Sequence, residues 1–139
     1  MYLVQISHST TINDSEEKVW NTISSFDNVE KYFSIVTQTQ VEGTGIGAKR
    51  KCAVNMGNQE FQICELLESL DEKKHFMTVK LEDGPIQLRG MKFTYNVKKI
   101  SDDRSDLLLL TDVENPDAGN MAKSIFSLIG QGLKKFHEM

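Results

Sequence analysis

The chain has 139 residues, 26% of them charged and 39% hydrophobic, with a net charge of −4. That is enough for one domain with a sizeable core, in the composition range of ordinary globular proteins. Scattered lysines and arginines on a net negative chain argue against a nucleic-acid surface, and no apolar run approaches the roughly 18 residues of a membrane span.

Residues 1–6 show no basic region followed by an apolar stretch, so no signal peptide is expected. Two cysteines and six methionines fit a reducing, cytoplasmic setting. No repeat, low-complexity segment or linker interrupts the chain, so residues 1–139 are expected to form a single domain.

Residues 2–12 alternate, with Val4, Ile6, His8, Thr10 and Ile12 on one parity, which predicts a first strand. Asp14, with Glu17 three residues on, has the spacing of a capping box, and Val19, Trp20, Ile23 and Phe26 give the stripe of the helix that follows. Asp27-Asn28 breaks it, and Val29, Tyr32 and Phe33 suggest a short second helix.

Strands are expected at about 35–42, 48–56, 59–70, 74–82, 87–100 and 105–114, separated by turn-forming residues. Gly57-Asn58 carries the strongest hairpin signal, a type II′ turn led by glycine. It sets Met56 opposite Gln59, Val54 opposite Phe61, Cys52 opposite Ile63 and Arg50 opposite Glu65. In that register Cys52 and Cys64 face opposite sides of the sheet, so no disulfide is expected. The later strands keep one wet and one covered face, the antiparallel pattern.

The last stretch, 116–139, reads as one long amphipathic helix. Pro116 and Asp117 start it, and Lys134, Lys135 and His137 meet the negative end of its dipole. Met121, Ile125, Leu128, Ile129, Leu133 and Phe136 form its apolar face. A helix of about 20 residues is about 30 Å long and needs an equally long partner. The expectation is an α+β domain, a curved antiparallel sheet wrapped around this helix.

The order strand, two short helices, six strands, long helix resembles the helix-grip fold. Ile12-Asn13-Asp14-Ser15-Glu16-Glu17-Lys18-Val19-Trp20 and Phe26-Asp27-Asn28-Val29-Glu30-Lys31-Tyr32 are similar to the opening strand and helix pair of the polyketide cyclase/dehydrase branch of the START-like (SRPBCC) superfamily, which also contains the birch-pollen allergen. Val41-Glu42-Gly43, then Gly45, Gly47, Ala48 and Arg50, resemble its next strand pair. Where its members often carry a tryptophan in the second short helix, this chain has Tyr32 and Phe33. The resemblance implies a seven-stranded sheet and a pocket between sheet and last helix for a lipid, hormone or polyketide. Some members cyclise or aromatise polyketides, and many only bind, so no catalytic set carries over.

The pocket's own residues must then be weighed. His8 shares the parity of Ile6 and Ile12; it is either an acid–base group in the pocket or a satisfied edge histidine. His75 and His137, at a strand start and a helix end, are expected on the surface. Arg50 on the covered face is either a structural ion pair with Glu65 or a guanidinium offered to a ligand. Arg89 begins the strand leading to Met91, Phe93 and Tyr95, near Pro85, where the family places the pocket mouth; mouth and surface positions both fit it. Tyr95 either packs or orients a ligand by its hydroxyl. Phe33, Cys52, Met77, Met91, Phe93, Met121, Ile125 and Ile129 suit core filling and an adaptable pocket lining alike.

Gly43-x-Gly45-x-Gly47 lacks the spacing of a dinucleotide loop, Asp102, Asp103 and Asp106 lack the rest of a calcium loop, and the cysteines and histidines have no metal-ligand spacing. No cofactor and no metal are expected. The leading expectation is binding of a hydrophobic small molecule; a cyclase, aromatase or dehydratase comes second and a protein-interaction domain third.

Overall fold

The computed structural model describes residues 3–139. The first strand, β1, is Val4–Ile12, so the expected start at Tyr2 lies outside the described residues. Helix α1 (Glu16–Ser24) and a single 3₁₀ turn at Val29–Lys31 follow. Next come β2 (Val36–Glu42), β3 (Lys49–Met56), β4 (Gln59–Asp71), β5 (Phe76–Asp83), β6 (Lys92–Ser101), β7 (Arg104–Val113) and helix α2 (Pro116–His137). All seven strands form one antiparallel sheet in the order β1-β7-β6-β5-β4-β3-β2. With the long last helix, this is the α+β helix-grip architecture expected.

The β3–β4 hairpin has the expected register, from Met56 opposite Gln59 to Arg50 opposite Glu65. Gly57 takes a φ of +66° and Asn58 no positive φ, as a glycine-led type II′ turn requires. Cys52 and Cys64 are free thiols out of step with each other. Register shifts fall within β4, between Cys64 and Glu65 and between Leu67 and Ser69. Such bulges bend a strand and increase its twist, which suits a sheet that curls.

Several local expectations are corrected. Ser15, not Asp14, caps α1 by accepting from Lys18 N; Asp14 instead accepts from Ser15 N and binds His137. Residues 87–91 are not strand. Leu88 N donates to Pro85 O, Met91 N to Leu88 O, and Gly90 takes a φ of +82°, so the chain turns twice before β6. His75 and His137 are not surface groups. His75 stacks on Trp20 with ring centres 5.1 Å apart and its Nδ1 lies 3.1 Å from Glu16. The ring of His137 is nearly covered, its Nδ1 2.8 Å from Asp14 Oδ2.

Helix α2 seats itself through small residues. Its deepest positions include Ala118, Gly119, Ala122 and Gly130 beside Phe126, Ile129 and Leu133. A Cβ at Gly119 would touch Ile6 and Val113; one at Gly130 would meet Thr10 and lie 3.4 Å from His8 Nε2. The helix therefore packs closely on β1 and β7. The bulkier Met121, Ile125 and Leu128 are only partly buried. Near the far end, Gly132 passes so close to the Tyr32 carbonyl that a Cβ would collide with backbone.

Replacing glycine with alanine inside a helix ordinarily gains up to about 1 kcal/mol. At Gly132 the sign should invert. Gly132→Ala is expected to lower the unfolding free energy by about 2 kcal/mol or more in urea titrations, while Lys135→Ala, exposed in the next turn, changes it little. A neutral or stabilising Gly132→Ala would mean that the helix does not sit where it is described.

Candidate functional site: a cavity with one polar pole

Because α2 leans on β1 and β7, a gap of about 510 Å³ remains between it and the rest of the concave sheet face. That is within the range of small-molecule sites. Arg50, Cys52, Phe93 and Tyr95 line it from the sheet, Phe33 from the connection between the 3₁₀ turn and β2, and Met121, Ile125 and Ile129 from the helix. Its exposed polar lining residues are Gln87 of the 84–91 loop and Asp117, Asn120 and Ser124 in the first turns of α2, which sets a mouth between these two segments.

Four sequence candidates lie outside this lining. His8 is half-buried on β1, against Gly130 of α2, where the helix sits down on the sheet. Met77 is fully buried core. Met91 packs only partly against the core, at the end of the 84–91 loop. Arg89 is exposed in that loop, its Nε donating to Gly84 O at 2.9 Å and its Nη2 3.3 Å from Asp83; the turn beginning at Pro85 carries it away from the sheet face.

Most walls are apolar; apart from Gln87, Asp117, Asn120 and Ser124, the polar lining side chains among the described residues fall in one cluster. Arg50 and Glu65 sit opposite each other on β3 and β4, 2% and 7% exposed, with Arg50 Nε donating to Glu65 Oε1 at 2.8 Å. Arg50 Nη1 donates to Phe26 O at 3.2 Å, and the guanidinium carbon lies 4.3 Å over the Phe26 ring. Phe26 can offer both because it holds a φ of +65°, just past the end of α1. Glycine usually takes that helix-ending position, and a bulky residue there is strained. A cation–π contact and a charge-assisted hydrogen bond offset the strain.

The curl of the sheet brings β6 round to the same cluster. The hydroxyls of Tyr95 and Tyr32 lie near the guanidinium, and burial pushes both phenols above their ordinary range although the cation opposes it. Burial, the largest single influence, would lower the Arg50 pKa; the Glu65 charge and hydrogen bond together with the neighbouring Tyr32 and Tyr95 outweigh it, and the guanidinium stays protonated. Burial also pushes the Cys52 thiol up to about 11, again against the pull of Arg50. The cavity thus presents a charged but internally balanced pair, phenols in their neutral form and a protonated thiol.

Sequence parity places Arg50 inward, and the structure forms its ion pair with Glu65 and sets it on the cavity lining. The reading missed Glu65 as a wall residue, although Phe61, Ile63, Glu65 and Leu67 share a parity. It also missed the mouth strip Asp117, Asn120 and Ser124, which recurs at helical spacing.

Removing one member of a buried pair leaves an uncompensated charge. Arg50→Met is therefore expected to cost about 3 kcal/mol or more, and Arg50→Met with Glu65→Leu to recover most of that loss, by denaturant unfolding. A double variant no better than the single one would refute the pairing. A thiol raised by about two units has about a hundredfold less thiolate at pH 8. Iodoacetamide should accordingly leave Cys52 unmodified in the folded chain and label it in urea, as peptide mass spectrometry would show; rapid labelling of folded Cys52 would contradict its burial.

No known family profile matches the sequence. Solved structures match its whole length. An uncharacterised protein of Bacillus thuringiensis superposes with a TM-score of 0.83 at 20% identity, covering 98% of this chain and 100% of that one. The protein XoxI of Bacillus cereus gives 0.82 at 21%, covering 97% and 96%. The Zhui aromatase/cyclase of a Streptomyces species gives 0.77 at 13%, covering 97% and 94%. These likenesses, together with the observed strand order, establish the helix-grip fold that the START-like resemblance implied.

Proposed function

We propose that this chain binds a hydrophobic small molecule, lipid-like or polyketide-like, between its sheet and α2. The observation that carries the reading is the cavity itself, a 510 Å³ space walled mainly by apolar side chains. A well-packed core leaves few voids larger than a water molecule, so a gap of this size needs an occupant or a reason. The helix face above it carries Met121, Ile125 and Leu128, whose partial burial would become complete around a ligand. No helix among the described residues is long and apolar enough to cross a membrane.

A second reading, a cyclase-type enzyme, is supported by the convergence of Arg50 and Tyr95 in the cavity and by the fold shared with an aromatase/cyclase. A proton-transferring pair of His8 with either of them is not formed, since His8 sits outside the lining. Binding needs no such pair, and it ranks first for that reason.

The test is a melting-temperature screen with native mass spectrometry across fatty alcohols, sterols, flavonoids and hydroxylated polycyclic aromatics. At least one class should give a one-to-one complex; a ligand at a hundred times its Kd stabilises by about 2.7 kcal/mol. Ile125→Trp, which fills the space from the helix side, should abolish the shift while keeping the fold. A wild-type protein that shifts with no class, or an Ile125→Trp variant that shifts as well as wild type, would sink the proposal.

A further inference from the structure

We propose that the inner end of the cavity recognises an uncharged group that accepts one hydrogen bond and donates another side by side, such as a carboxamide or a carbonyl with an adjoining hydroxyl, and that it rejects a carboxylate. The inference rests on the ligand-binding reading above and narrows its substrate class.

The first support is a half-filled fork. A guanidinium presents Nε–H and one Nη2–H along the same edge, and a carboxylate usually takes both. Here Glu65 takes only Nε, through Oε1. Nη1 is used by the Phe26 carbonyl. Among the described residues, neither Arg50 Nη2 nor Glu65 Oε2 makes a further hydrogen bond of full geometry, and the Tyr32 and Tyr95 hydroxyls lie close enough to the guanidinium to interact with it. Both side chains are nonetheless more than nine-tenths buried, and both line the cavity. Neither atom is sealed off from the cavity, so a donor and an acceptor on adjoining strands stand open to a guest that satisfies both. Such a partner must accept from Nη2 and donate to Oε2.

The second support is charge. Arg50 and Glu65 already cancel, so the pole has no net charge to offer an anion. A carboxylate brought there would be a second acid beside Glu65, taken out of water with only a share of one cation, and such a transfer is costly. It would also pass Asp117 at the mouth. A neutral donor–acceptor edge meets neither obstacle.

The third support is contrast. Beyond the two tyrosine hydroxyls beside the guanidinium, the walls around the fork are apolar, including Val54, Ile63 and Phe93. In such a setting a single well-paired polar contact fixes orientation, because the same group in any other pose leaves its own hydrogen bonds unmade. The body of the molecule is therefore expected to be featureless, with its polar group at the buried end.

Three probes with one apolar body separate the possibilities: anthracene-2-carboxamide, anthracene-2-carboxylate and 2-methylanthracene, titrated into the full chain at pH 7.5 and followed by their own fluorescence. The carboxamide should bind at least about tenfold more tightly than the methyl compound, and the carboxylate more weakly than both. Equal binding of the carboxamide and methyl compounds, or tightest binding of the carboxylate, overturns the inference and leaves the cavity reading standing. Binding of none of the three overturns both. In Glu65→Gln the arginine charge is no longer balanced, so the carboxylate should overtake the carboxamide. A folded Glu65→Gln, checked by circular dichroism, in which the carboxylate gains nothing would also refute the proposal. Should that variant not fold, the wild-type order decides alone.

Discussion

The seat of α2 on β1 and β7 governs everything else in this molecule. A helix held against a curved sheet can be pressed evenly into it or tipped to one side, and the difference lies in where its smallest side chains fall. Gly119 and Gly130 bring the backbone down onto Ile6, Val113, Thr10 and His8, and Ala118 and Ala122 line the same buried face. Met121, Ile125 and Leu128 hold the other flank away. Gly132 against the Tyr32 carbonyl fixes the tilt at the opposite end. The cavity is the space left by this lopsided contact, so its shape is written in glycines and alanines far more than in the residues that line it.

The buried ion pair gives that space a direction. Most of the wall offers dispersion and desolvation alone, which hold a guest without orienting it. At Arg50 and Glu65 a polar contact is worth several times its value in water, since the local dielectric is low. Their position also ties the pocket to the rest of the fold. Arg50 reaches the carbonyl and ring of Phe26, so the exit of α1 and the β3–β4 hairpin meet at one guanidinium. Structural support and recognition are carried by the same side chain.

Much of this was readable from the residues. Alternation found the strands because one face is wet, and the Gly57-Asn58 turn fixed a register that put Arg50 beside Glu65. What escaped was of a different kind. The apolar stripe of α2 was traced through its large residues, whereas the contact that positions the helix runs through Ala118, Gly119, Ala122 and Gly130, which carry almost no hydropathy signal. His8 has inward parity and does point at the helix, but parity cannot tell the seated flank of the sheet from the open one. Arg89 and Met91 were read as strand because the alternation of β6 was extended backward through a loop, past Gly90. His75 and His137 looked exposed by their place in the chain; the acids that cover them, Glu16 and Asp14, are more than 50 residues away.

The pairing of β1 with β7 has a kinetic consequence. Ile12 lies opposite Ser105, so the strand on which α2 rests is assembled from segments separated by most of the chain. Closing so long a loop is slow, because its entropy must be lost before any contact rewards it. Until it closes, the helix has no platform and the half-built vessel has no lid. A guest that needs the closed cavity binds only chains that have already made this pairing, so its effect falls on the rate at which the finished structure comes apart.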